Sequence, residues 1–216
     1  MLLAISMQRI DPSREDVYLA SVDDQERVIA ESGDFRGRTV LRSQTQAGRF
    51  WVLDRWQHER SMGLALAMAR TIATVAALVE EPVEALADGS ELARGLGVAA
   101  DAGFCLVAEG WLKEARLDEY EATVRAQAER LRTEEGFLRR VLLVDRADHR
   151  HRWVLDEWAT ERAAYESFRR NAVTDGEALG FLALFAERKA PVFATTVRGP
   201  MEMMTNEPPA TGKEGD

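Results

Sequence analysis

Trp51-Val52-Leu53-Asp54-Arg55-Trp56 and Trp153-Val154-Leu155-Asp156-Glu157-Trp158 differ at a single position and lie 102 residues apart. Outward from them the register holds without a gap. Glu59-Arg60 recurs as Glu161-Arg162, and Phe35 and Arg38 recur as Phe137 and Arg140. Arg14, Asp16, Tyr18 and Gln25 recur as Arg116, Asp118, Tyr120 and Gln127. A register shared from about residue 2 to residue 62 marks a duplication, and an internal repeat outranks any local reading of the chain.

Each copy has the same order of elements. A short apolar strand opens it, Leu2 to Met7 in the first and Phe104 to Glu109 in the second. A helix follows with apolar residues at helical spacing: Tyr18, Val22 and Ile29, then Tyr120, Val124 and Leu131. Gly33 and Gly136 punctuate the helix ends. Two strands come next, Arg38 to Ser43 and Phe50 to Trp56 in copy one. In copy two they are Leu138 to Asp145 and Arg152 to Trp158, across the polar turn Arg146 to Arg150. A second helical region precedes a last strand, Pro82 to Leu86 or Pro191 to Val197.

The fold class is therefore α+β, two ferredoxin-like β-α-β-β-α-β repeats. Helices cover one face of each sheet. The bare faces need a partner, and the two repeats are expected to pair sheet to sheet into one barrel. Repeat one spans 1–88 and repeat two 104–199, with a Gly- and Ala-rich linker at 89–103 and an unstructured tail at 200–216. After the final tryptophan the copies diverge. Copy two is seven residues longer there, breaks at Thr174-Asp175-Gly176, and runs apolar from Leu179 to Phe185.

With 46% hydrophobic and 30% charged residues, the chain has the composition of an ordinary globular protein. A net charge of −9 repels phosphate backbones and anionic lipid, so neither nucleic acid nor membrane is an expected partner. The lone Cys105 sits in the apolar run Phe104 to Val107 and reads as a buried, unreactive thiol. The start lacks the basic segment of a signal peptide, and the expected location is cytoplasmic. No glycine-rich phosphate loop, serine triad or metal cluster is visible. His149 and His151 read as part of a solvated turn, and His58 as part of a helix cap.

Copy two resembles the antibiotic biosynthesis monooxygenase domain. The residues that carry the likeness are Glu135-Gly136-Phe137-Leu138-Arg139-Arg140, the strand Arg152 to Trp158, and Glu161-Arg162-Ala163-Ala164-Tyr165. Copy one carries it more weakly. The resemblance implies a dimeric α/β barrel, here with both halves in one chain; further assembly of whole chains is left open. It implies cofactor-independent oxidation of a flat phenolic or anthrone-like molecule by dioxygen, with no cofactor and no metal. It also carries an alternative, a non-catalytic small-ligand-binding or stress-related barrel of the same fold. Haem degradation ranks lower, because none of the three histidines falls on the second helical region. An asparagine found in quinone-forming members four residues before the tryptophan is replaced by Val52 and Val154.

Strand periodicity puts Val154, Asp156 and Trp158 on one face, and the resemblance directs that face to the helices, where the family pocket lies. Asp156 and Arg169 are the expected catalytic residues. Trp158, Tyr165, Trp56 and Asp54 are the expected substrate-binding residues, the tryptophans by stacking on a flat ring. Each has a plainer reading as well: core anchors for the tryptophans, hydrogen-bonded strand-end carboxylates for the aspartates, an exposed helix surface for Arg169.

Overall fold

The computed structural model describes residues 1–72, 78–80, 82–96, 102–170 and 180–198. The first repeat comprises β1 (Leu2–Arg9), α1 (Glu15–Ala30), β2 (Phe35–Ser43), β3 (Arg49–Trp56), α2 (Glu59–Ile72) and β4 (Val83–Arg94). The second comprises β5 (Phe104–Leu112), α3 (Leu117–Leu131), β6 (Phe137–Asp145), β7 (His151–Trp158), α4 (Glu161–Arg170), β8 (Phe185–Arg188) and β9 (Val192–Arg198). The Thr174-Asp175-Gly176 break, the tail beyond 198 and residues 97–101 of the expected linker lie outside the described residues. No described helix is long and apolar enough to cross a membrane.

Each repeat forms an antiparallel four-stranded sheet, β4-β1-β3-β2 and β6-β7-β5-β9, the order a split β-α-β unit requires. The sheets also join edge to edge. β4 pairs with β6 from Ala87↔Asp145 to Arg94↔Arg139, and β2 pairs with β9 from Val40↔Arg198 to Ser43↔Ala194. These two seams close eight antiparallel strands into a ring, which leaves no long open edge. The short β8 lies beside the far end of β5.

β4 corrects the expected boundaries. It runs to Arg94, through residues read as linker, because β6 supplies a partner that local sequence does not reveal. Gly89 there is a point of close approach. A Cβ on it would stand 2.7 Å from Leu3 Cδ1 and 3.0 Å from Leu143 Cδ2, one residue from each repeat. In the second repeat the apolar run ending at Phe185 also departs from a simple helix, since β8 begins at Phe185.

All eight residues of β7 are buried, because both faces of the strand are covered. Trp153 and Leu155 point into the ring with Cys105, Val107, Val141 and Leu143, where they meet Leu3, Ile5, Leu41, Trp51 and Leu53 of the other repeat. Within this common core lies a void of about 10 Å³ lined by apolar side chains. The opposite faces pack under helices. Val154 meets Tyr120 and Val124, while Val52 meets Tyr18 and Val22. Gly33 and Gly136, at φ +74° and +76°, end the turns after α1 and α3. His58 precedes α2, accepts from Met62 N–H through its carbonyl, and bonds Asp34. Cys105 is buried, and burial pushes its thiol well up.

Candidate functional site

On the helix side of each sheet the same four-part network appears twice. Arg140 sits opposite Asp156 across β6 and β7 and donates to both its oxygens, at 2.6 and 2.7 Å. The third nitrogen of Arg140 donates to Gln127 Oε1 at 3.2 Å and to the carbonyl of Val124 on α3. Arg38, Asp54, Gln25 and the Val22 carbonyl repeat this at 2.7 and 2.8 Å for the ion pair. The arginines therefore tie each first helix to its sheet. With side chains 5% exposed and both oxygens engaged, Asp156 and Asp54 are structural acceptors and not free bases. That departs from the roles anticipated for them.

The expected aromatic residues fall into two groups. Trp158 is a core anchor, edge-on to Phe137 at 5.2 Å and packed with Leu131 and Ala164. Trp56 repeats it against Phe35 at 5.3 Å, with Ile29 and Met62. Tyr165 is different. It is half-buried on α4 and stacks on Phe193 at 4.4 Å, with Phe104 at 5.9 Å. Phe168, 48% exposed, extends this row edge-on to Phe193. Arg169 is exposed one turn beyond Tyr165 on the same helix. Tyr165, Phe168 and Arg169 thus share one helix, and Trp158 lies in the core behind them.

The barrel interior holds charged clusters that were not anticipated. Arg139 and Glu157, both buried cross-strand partners, form a two-point pair at 2.7 and 3.1 Å. Burial pushes the Glu157 carboxyl up against the pull of Arg139. Farther along β6, β7 and the adjoining β5, beyond Leu143, Trp153 and Val107, lie Asp145, His151 and Glu109. His151 Nδ1 is 3.0 Å from Asp145 Oδ2 and its Nε2 is 3.1 Å from Glu109 Oε1. Lys189 Nζ donates to the same Glu109 oxygen at 2.5 Å. Trp111 stacks on the imidazole at 3.9 Å, with Trp153 on it at the same distance.

His151 is 6% exposed, so the reading of the Arg146–Arg150 hairpin as solvated holds for His149 but not for its neighbour on β7. The period of two would have found it: His151 is one step before Trp153, as Glu109 is one step after Val107. The imidazole thus faces two carboxylates, one through each ring nitrogen. Burial raises the Glu109 carboxyl, but hydrogen bonds from His151 and Lys189 and their charges outweigh it and hold it below the ordinary range. The repeat-one counterparts are Met7, Arg49 and Ser43, so the cluster belongs to one half only.

Beside it a cleft of about 210 Å³ is lined by residues of both repeats, among them Arg49, Trp51, Val107, Glu109, Lys189 and Val192. Arg49 donates to Gln46 Oε1 at 2.9 Å and lies 5.6 Å over the Trp51 ring. Lys189 lies 5.0 Å over Trp111. Among the described residues no three His, Cys, Asp or Glu side chains are placed to hold a metal ion.

Comparison with known proteins bears on the fold of the whole chain and on its second repeat. No curated protein matches the chain. Solved structures do match over nearly its whole length. A candidate monooxygenase from Fusobacterium nucleatum aligns over 91% of this chain and 92% of its own, with a TM-score of 0.69 at 13% identity. An anthrone oxidase-like protein aligns over 91% of each chain, with a TM-score of 0.68 at 13% identity. A candidate monooxygenase from Lactobacillus acidophilus covers 91% and 93%, at 0.63 and 9%. At these identities the likeness is one of fold, shared along the whole two-repeat chain. The antibiotic biosynthesis monooxygenase model matches residues 103–174. That span runs through the second repeat from β5 to α4.

Proposed function

We propose that the chain is a cofactor-independent monooxygenase that converts a small, flat phenolic or anthrone-like molecule to a quinone with dioxygen. The observation that carries this reading is the family match over residues 103–174. In the reaction the substrate loses two hydrogens, both from one ring carbon of an anthrone or one each from a ring carbon and the hydroxyl of a phenol; that carbon gains one oxygen atom of dioxygen, and the second atom leaves as water with the two hydrogens. The substrate anion supplies the electrons, so the protein's share is orientation, exclusion of water and stabilisation of charge. We assign the ring to the row Tyr165, Phe193 and Phe168, with Trp158 as rigid support behind it and Arg169 at its rim to meet developing negative charge. Trp56 and Asp54 are the repeat-one counterparts of Trp158 and Asp156. The two repeats on this reading stand in for the two subunits of a dimeric barrel, joined by the β4–β6 and β2–β9 seams.

A second reading, a barrel that binds a small molecule without oxidising it, is favoured by one specific observation. Val52 and Val154 are buried where quinone-forming members place an asparagine, and the aspartates on that face are held by arginine. Oxygen uptake by metal-free protein offered a panel of anthrones and phenols separates the two. Uptake above the uncatalysed rate with quinone appearing supports the oxygenase. Saturable binding with no uptake supports the second reading. If Tyr165→Ala and Arg169→Ala both turn over every accepted substrate as wild type does, the assigned site is wrong.

A further inference from the structure

We infer that the cleft beside Glu109 is a second small-molecule site, built jointly by the two repeats, that takes a one-ring hydroxy-aromatic acid as its anion. Repeat one brings Arg49 and Trp51 from β3. Repeat two brings Val107 and Glu109 from β5, Lys189 from the link between β8 and β9, and Val192 at the start of β9. The site is separate from the helix side of repeat two, and its test requires no turnover.

Charge defines the ligand first. Among the residues that line the cleft, Arg49 and Lys189 against Glu109 leave one surplus positive charge. In a chain of net −9 a locally cationic pocket selects a monoanion. Among the described residues Arg49 has no carboxylate partner. Its contacts are Gln46 and the Trp51 ring, which hold the guanidinium beside the cleft with capacity left for a two-point carboxylate bond. Glu109 takes both His151 and Lys189 on Oε1, and its other oxygen has no hydrogen bond among the described residues. That oxygen is the acceptor for a ring hydroxyl. Trp51, Val107 and Val192 give the apolar wall against which a ring lies.

Size narrows the class further. The cleft is about 210 Å³, below the roughly 300–1,000 Å³ of sites for drug-sized ligands, so one ring fits better than three. A wholly apolar ligand would desolvate two cations without compensation. One carboxylate flanked by two cations does not suit a metal ion.

The test is titration of the full-length chain with 4-hydroxybenzoate and with uncharged 4-hydroxybenzamide, followed by tryptophan fluorescence and by calorimetry. The acid is expected to bind at one site about tenfold more tightly than the amide. Arg49→Gln, at a half-buried position, is expected to remove that preference, weakening the acid about tenfold and leaving the amide unchanged. Lys189→Met is expected to weaken the acid as well. Absence of saturable binding below about 10 mM overturns the proposal. So does equal affinity for acid and amide, or wild-type affinity in both variants.

Discussion

Arg140 and Asp156 show how one charged pair can hold a fold without serving its chemistry. The pair is buried, has matched geometry, and spends its remaining donor on the carbonyl of Val124. Removing one member leaves the other charge unpaired in the interior. Arg140→Met is therefore expected to cost about 3–5 kcal/mol in urea denaturation, while Arg140→Met with Asp156→Leu is expected to cost less than the single change. A larger loss in the double variant would show that the pair contributes more than its own desolvation. Glu109 carries a pH signature. Its folded-state value lies below the ordinary 4.5, so its contribution to stability is present above that pH and is lost as pH falls through the lowered value. The stability difference between wild type and Glu109→Gln, measured by denaturation from about pH 7 to about pH 3, is expected to shrink on acidification. A difference that grows would mean that the carboxyl is held above its ordinary value.

At the scale of elements, β7 and its copy β3 were legible because their alternation is strong: one tryptophan faces the barrel and the other faces the helices. α1 and α3 were legible through Tyr18, Val22 and Ile29 and their repeats, all buried. β4 was legible only in its first half. From Gly89 to Arg94 its partner is β6 of the other repeat, and a strand whose neighbour is far away in sequence leaves little local pattern. Glycine and alanine there read as flexibility, whereas the geometry uses them for close approach at the seam. Gly89→Val is accordingly expected to lower stability by about 1–3 kcal/mol by overpacking Leu3 and Leu143; thermal unfolding would check it, and an unchanged midpoint would contradict the seam. The candidate sites were legible less well. Tyr165 and Arg169 followed from their spacing of four on one helix, set beside the family likeness. His151 was missed because its arginine-rich neighbours in the turn masked the period of two.

At the scale of the molecule, the two repeats share one interior and two strand seams, so neither half keeps its core when separated. A fragment of residues 1–96 would expose β2 and β4 along their length, together with Leu3, Ile5, Leu41 and Trp51. It is expected to self-associate or to remain unfolded in sedimentation and far-UV circular dichroism, and a folded monomer would contradict the shared core. The halves are alike in frame and unlike in equipment. Both keep the Arg–Asp network, and only the second has the Asp145–His151–Glu109 cluster and matches the family model. The claim at the centre of this account is monooxygenation without a metal or organic cofactor. It is tested most directly by running metal-free protein with an accepted phenol or anthrone under isotopically heavy dioxygen and weighing the quinone. The account predicts one heavy oxygen atom per quinone, formed faster than in protein-free controls. Quinone with only light oxygen, or none beyond the control, would contradict it.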